Sequence, residues 1–166
     1  MGNVESLRDP VRVWLTGWGA PLGTECEDPG PPPSLEETLA LALRVAHEDG
    51  QLALVMPVVL WKRRDDVNFD DLVERALKDG EGRTLGFFLQ MTDALSGKQL
   101  FDRYLPALMA GQPGRVCFHN RDYDSVHERV LLDLHTPEVA RHWGFEMNLP
   151  LDSFASHFRK FTKSAA

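Results

Sequence analysis

The residue types able to hold a metal or move a proton crowd into one stretch. Cys117, His119, His127, His135 and His142 fall within 26 residues, and the gaps between successive histidines are eight, eight and seven. Zinc takes such ligands, but structural zinc sites are built from close pairs such as C-x2-C or H-x3-H. Cys117-x-His119 is the one close pair here. On a helix, residues 127 and 135 stand about 12 Å apart, too far to share an ion. Scattered surface and half-buried histidines are the plainer reading, so no metal and no cofactor are expected.

Other chemical signatures are thin. Cys117-Phe118-His119-Asn120 invites comparison with a nucleophile or a His-Asn nuclease motif. The hairpin-helix frame and the glycine or cysteine punctuation of such a nuclease are not visible. Asp122 and Asp124 read first as acids at a helix N-terminus, where the dipole favours them. Gly80-Glu81-Gly82 and Gly111-Gln112-Pro113-Gly114 lack the strand-glycine-helix context and the Lys-Ser/Thr of a phosphate loop. There is no Gly-x-Ser-x-Gly. Cys26 sits in Glu25-Cys26-Glu27-Asp28, where negative charge opposes a thiolate. Cys117, in Val116-Cys117-Phe118, reads as a small buried apolar residue. No disulfide is expected between the two.

Binding chemistry has better candidates. Trp61-Lys62-Arg63-Arg64 is the most concentrated basic spot, able to meet phosphates or an acidic partner. The same cations suit a helix C-terminus, and Asp65-Asp66 dilutes their field. Arg159, Lys160 and Lys163 close the last helix in the same way. Trp14 and Trp18 open a glycine-rich loop, either as an exposed contact surface or as a lid on the core.

These residues must be positioned by helices. Residues 1–9 read as a polar tail. Apolar and charged residues alternate from Val11, which suits a short strand or extended segment. Residues 17–33 are loop, ending in the stiff run Pro31-Pro32-Pro33. Ser34-Leu35-Glu36-Glu37 is a capping box, and Leu35, Leu39, Ala42, Leu43 and Ala46 form one apolar stripe. Leu52 to Arg64 is apolar nearly all round, then basic, and is legible as strand or buried helix. Asn68 caps a helix that stops at Gly80, and Arg83–Ser96 repeats the pattern. A further helix is expected over Lys98–Ala110 with a kink at Pro106, then a break at 111–114 and a short strand over Arg115–His119. Tyr123–His135 reads as a helix through Val126, Val130, Leu131 and Leu134. Thr136-Pro137-Glu138 opens a short helix ending at Gly144. The last helix starts near Pro150 with Leu151, Phe154, Phe158 and Phe161 inward. The expected fold is all-α, a compact bundle or short α-solenoid of five to eight short helices, with a short extended N-terminal segment. Residues 1–33 form a tail and proline-rich lead-in, and 34–166 a single helical domain with a sub-boundary at 111–114.

Composition agrees. The chain has 166 residues, 43% apolar and 26% charged, ordinary for a globular domain and unlike a disordered one. The longest apolar run, Leu52–Trp61, is about half of the roughly 20 residues a membrane span needs. No export signal opens the chain, so a cytoplasmic location is expected. Net charge is −7, and all the excess lies in residues 1–80, with 8 basic and 15 acidic side chains; residues 81–166 hold 10 of each. That balance works against nucleic-acid affinity and favours a basic partner protein.

Leu54-Val55-Met56-Pro57-Val58-Val59-Leu60-Trp61, Asn68-Phe69-Asp70-Asp71-Leu72-Val73 and Arg83-Thr84-Leu85-Gly86-Phe87-Phe88-Leu89 resemble the helical C-terminal part of abortive-infection-type antitoxins. Leu95-Ser96-Gly97 extends the likeness, which covers under a third of the chain. The resemblance implies coupling to a nucleotidyltransferase toxin and makes 52–61 helical. Such antitoxins look to carry an N-terminal winged helix, whereas only 33 residues precede the first clear helix here.

The sequence thus favours a non-enzymatic helical protein-interaction module of antitoxin, immunity or accessory type. One alternative is a DNA-binding regulator standing on Trp61–Arg64 and the basic C-terminal helix. The other is a metal-dependent enzyme built on His119, His127, Asp122 and Asp124. No membrane association is expected.

Overall fold

The computed structural model describes residues 3–23, 27–110, 118 and 125–163. Asn3 opens the first helix, α1 (Val4–Gly17), by accepting the Glu5 N–H on its side-chain oxygen. The expected tail and extended segment are therefore corrected to one helix. Pro10 lies inside it and removes one backbone bond, which hides the helix from a reading by breakers. The spacing that wins is Val4, Leu7, Val11, Trp14, Leu15 and Trp18, all packed on the core. Spacings of three and four residues put them on one helical face and outweigh the local alternation around Val13.

After the loop through Pro33, Ser34 accepts the Glu37 N–H and starts α2 (Leu35–Ala46). Asp49 caps α3 (Gly50–Lys62) through the Leu52 N–H, and Asn68 caps α4 (Phe69–Lys78) through the Asp71 N–H. The run from Leu52 is helix, as the antitoxin likeness implied. It is apolar all round because it is central: α3 packs against α2 and against both α5 (Gly82–Ser96) and the C-terminal helix. Pro57 is buried inside α3.

Gly97, at φ +72°, ends α5 in the left-handed conformation that a glycine takes freely. The helix expected over Lys98–Ala110 is then corrected. The Asp93 carboxylate accepts the N–H groups of both Leu100 and Phe101, which ties the chain into a non-helical connection. Only a 3-10 turn at Asp102–Tyr104 and the short α6 (Leu105–Met109) follow, and Pro106 stands in the first turn of α6 rather than kinking a longer helix. Burial pushes the Asp93 carboxyl up, aided by the charge of Asp102 and opposed by its two backbone bonds.

Ser125 caps α7 (Val126–His135), and α8 (Glu138–His142) and α9 (Leu151–Thr162) complete the chain. Phe154 and Phe158 of α9 are buried as expected, while Leu151 is 47% exposed. The short strand expected at Arg115–His119 lies outside the described residues apart from Phe118, whose N–H donates to the Glu146 carbonyl. Among the described residues there are nine α-helices, and the fold is an all-α, compact helical bundle. α1 packs on α2, α2 on α3 and α4, α5 on α3, α4, α6 and α8, and α9 on α3. No helix among the described residues is long and apolar enough to cross a membrane.

Candidate functional site

At the end of α3 the sequence candidates Trp61, Arg63 and Arg64 are each held by defined contacts. Arg63 Nε donates to the Trp18 carbonyl at 2.7 Å, and its guanidinium lies 5.8 Å from the Trp18 ring. It also pairs with Asp66 at 3.3 Å. Arg64 folds back to donate to the Trp61 carbonyl at 2.7 Å and stacks 3.9 Å over the Trp61 ring. Lys98 approaches the same ring, its Nζ 5.7 Å from the centroid. Trp61 is itself anchored edge-on against Phe158. Arg63 thus joins Trp18 to the basic end of α3. Lys62 points to water.

Trp14 and Trp18 stand at the edge of the core. Each is half-buried and packed on the core, yet both line an open apolar groove of about 340 Å³ with Val13, Gly17 and Pro32. The Trp14 indole N–H donates to the Gly30 carbonyl at 3.3 Å. The Trp18 indole N–H is buried without a partner among the described residues.

A second groove of about 340 Å³ runs beside the Trp61 cluster, between Arg64 and Arg103. Phe69, Phe101 and Tyr104 form its packed aromatic floor, with ring centroids 4.9 Å and 5.7 Å from Phe69. Arg103 stacks 4.6 Å over Tyr104 and also donates to its hydroxyl. Sequence reasoning missed Lys98, Leu100 and Arg103 because the expected helix over 98–110 scattered them. The connection held by Asp93 collects them instead.

The histidines do not converge. His127 is exposed on α7, His135 bonds Asn148, and His142 lies edge-on to Trp143. Among the described residues no three side chains of metal-binding type come together. Cys26, Cys117, His119, Asp122 and Asp124 lie outside the described residues. The histidine with close polar partners is one the sequence did not single out. His47 Nε2 meets Glu81 Oε2 at 3.0 Å and the Thr84 hydroxyl at 2.9 Å, and that hydroxyl donates to Glu81 at 2.7 Å. The arrangement has the residue types of a proton relay. However, His47 is 2% exposed, stacked on Phe118 and edged by Phe145, with Nδ1 buried and unpartnered among the described residues. The imidazole lies under aromatic rings while Glu81 is 18% exposed, and the three side chains latch the end of α2 to the start of α5.

A buried ion pair ties α1 to the same region. Arg12 reaches Asp49 at 2.6 Å and Gln51 at 2.7 Å, and Arg8 adds a contact at 3.3 Å. Burial raises the Asp49 carboxyl, but the Leu52 N–H and the Arg12 and Arg8 guanidiniums outweigh it and hold it below its ordinary value. The groove between α2 and α4 is lined by four acids, Glu37, Asp71, Glu74 and Asp79, and three bases, Arg44, Arg75 and Lys78.

One helix departs from its expected orientation. Val126, Val130 and Leu134 of α7 are 82%, 48% and 71% exposed, while Leu132 is the buried residue of the helix. Of the stripe read as the core-facing side of this helix, Leu131 is half-buried and the other three residues turn toward solvent.

Comparison with protein-family models, characterised proteins and solved structures gives no match to this chain.

Proposed function

We propose that this chain is a helical protein-interaction module whose contact face is the aromatic and cationic surface around the end of α3. The observation that carries the reading is the Arg64–Trp61 stack, which holds an arginine and a half-buried tryptophan together at the end of α3. Tryptophan and arginine are the residue types that dominate binding energy at protein interfaces. Here they are half-buried and held by backbone hydrogen bonds, so a partner meets a surface already in place. Net charge alone points to a basic partner, but the side chains that a partner meets on this face are cationic. The module acts in an antitoxin, immunity or accessory role. The sequence likeness over 52–97 names a nucleotidyltransferase toxin as the first partner to try.

The test is affinity capture by the full chain from its source cell, compared with Arg64→Glu and with Arg129→Glu, exposed on α7, as a control. A stoichiometric protein retained by wild type and the control, and lost with Arg64→Glu, supports the reading. Capture that ignores Arg64→Glu moves the contact face elsewhere. Nucleic acid retained in place of protein, and released by salt, replaces the module with a DNA-binding regulator.

A further inference from the structure

A ten-residue helix gains little from its own backbone and is held by what its apolar face meets. The other long helices pack along a neighbour, whereas among the described residues α7 has no such packing and buries Leu132 alone. The face that should secure it is turned outward, with Val126, Val130 and Leu134 82%, 48% and 71% exposed. The helix is fixed at its ends instead. Ser125 caps the first turn, and Arg141 donates to the Asp133 carbonyl at 2.7 Å.

The arrangement along this face matches itself in reverse. Val126 and Leu134 stand four residues either side of Val130. Arg129 and Asp133, both exposed, share one flank of the stripe, and the exposed His127 lies on the other. We propose that α7 pairs with α7 of a second copy of this chain, antiparallel, about a two-fold axis at Val130. The two Val130 side chains then meet on the axis, and Val126 of each copy meets Leu134 of the other.

The charges select this orientation. In an antiparallel pair, like flanks face each other. Arg129 of one copy then stands within about 3 Å of axial rise of Asp133 of the other, and the two-fold axis makes the contact twice. A parallel pair brings unlike flanks together. It sets Arg129 against His127 and leaves Asp133 beside Leu134, so neither charge is answered. Opposite charges flanking an apolar seam fix helix orientation in this way.

The interface is small. α7 is about 15 Å long, so a single helix pair falls below the roughly 1,200 Å² of a standard interface and belongs with weak, reversible contacts. A dissociation constant of about 10 µM to 1 mM is expected. At about 1 µM protein the chain is monomeric, and the three side chains meet only water. The pairing uses no residue of the surface at the end of α3 and does not rest on the interaction-module reading.

Sedimentation equilibrium of the full chain over about 5 µM to 1 mM is the test. A reversible monomer–dimer equilibrium is expected, weakened about fivefold or more by Leu134→Gln, Arg129→Glu and Asp133→Arg. Arg129→Glu/Asp133→Arg is expected to recover it, because the cross-pair forms again with its signs exchanged. Circular dichroism at about 1 µM, where every variant is monomeric, checks that each keeps the wild-type helix content. Disulfide trapping reads the orientation. In chains carrying Cys26→Ser and Cys117→Ser, a mixture of Val126→Cys and Leu134→Cys proteins is expected to link position 126 to 134 in preference to 126 to 126. Arg64→Glu is expected to associate as wild type does, and Arg129→Glu to keep any partner captured at the end of α3, so the two surfaces fail separately. A chain that is monomeric at every concentration, or a dimer that ignores the α7 substitutions, overturns the pairing. Links predominantly between two positions 126 overturn its antiparallel form.

Discussion

The six-membered ring of Trp143 rests directly on Gly86. A Cβ placed at 86 would lie 2.3 Å from two of the ring carbons, well inside van der Waals contact. Trp143 is 1% exposed and its indole N–H donates to Gln90 Oε1 at 2.7 Å, so the ring is pinned from both sides. Gly86→Ala is expected to lower stability by about 1–3 kcal/mol through overpacking, although alanine is the better helix former by about 1 kcal/mol. Urea denaturation followed by circular dichroism measures it. Adding Trp143→Leu to Gly86→Ala should cost less than adding it to wild type, because the ring that alanine displaces is then gone. A Gly86→Ala protein as stable as wild type would contradict the close approach.

The Arg12–Asp49 pair is buried at both ends, and removing one partner strands the other. Arg12→Leu is expected to cost about 3 kcal/mol or more. The pair also sets a pH dependence. The Asp49 carboxyl titrates below its unfolded value in the folded state, so its contribution is present above the unfolded pKa and is lost as pH falls through the folded one. Asp93 runs the other way. Its folded carboxyl is raised, so its ionisation costs stability as pH rises through the carboxylate range. Comparing wild type with Asp49→Asn at each pH isolates the first effect. The stability gap between them should narrow toward strongly acidic pH, and a gap that stays constant would remove Asp49 from the acid response.

Much of this was legible where local chemistry and periodicity agree. Ser34 and Asn68 announce their helices because a side-chain oxygen facing its own backbone is a sequence-local event. Other elements depend on distant partners. The stripe from Val4 to Trp18 carries a helical period, but Pro10 and the alternating charges around Val13 obscure it. The connection after Gly97 is not helical because Asp93 holds Leu100 and Phe101, and an aspartate late in an apolar helix gives no notice of that bond. Of the candidate face, Trp61 to Arg64 was visible as composition. That Arg63 reaches Trp18, that Lys98 approaches Trp61 and that Arg103 lines a groove with Arg64 follows from the packing of chain segments dozens of residues apart.

Thr84 is the hinge of the buried latch, since its hydroxyl donates to Glu81 and accepts from His47. Thr84→Val keeps the shape and removes both bonds. The expected loss is about 1–3 kcal/mol, the net worth of two hydrogen bonds at about 0.5–1.5 kcal/mol each, since His47 and Glu81 keep their own contact. Thr84→Ser keeps the hydroxyl and should lose less. Thermal melts of the two variants decide the point. Equal losses would mean that the methyl group matters here and the network does not.

The orientation of α7 makes two leucines, two positions apart, behave oppositely. Leu132 is 2% exposed, so Leu132→Ala removes buried methyl groups and leaves a cavity, at an expected cost of about 2–5 kcal/mol. Leu134 is 71% exposed, and Leu134→Gln should change stability by no more than about 0.5 kcal/mol, as substitutions on an open surface usually do. Val126→Ser, at 82% exposure, should match it after allowance for helix propensity. The sequence pattern alone predicts the reverse order, because Val126, Val130 and Leu134 share a helical face and look like its core side. Chemical denaturation of the three variants therefore separates the two orientations. A large loss at Leu134 with little at Leu132 would rotate the helix back to the face its pattern suggests.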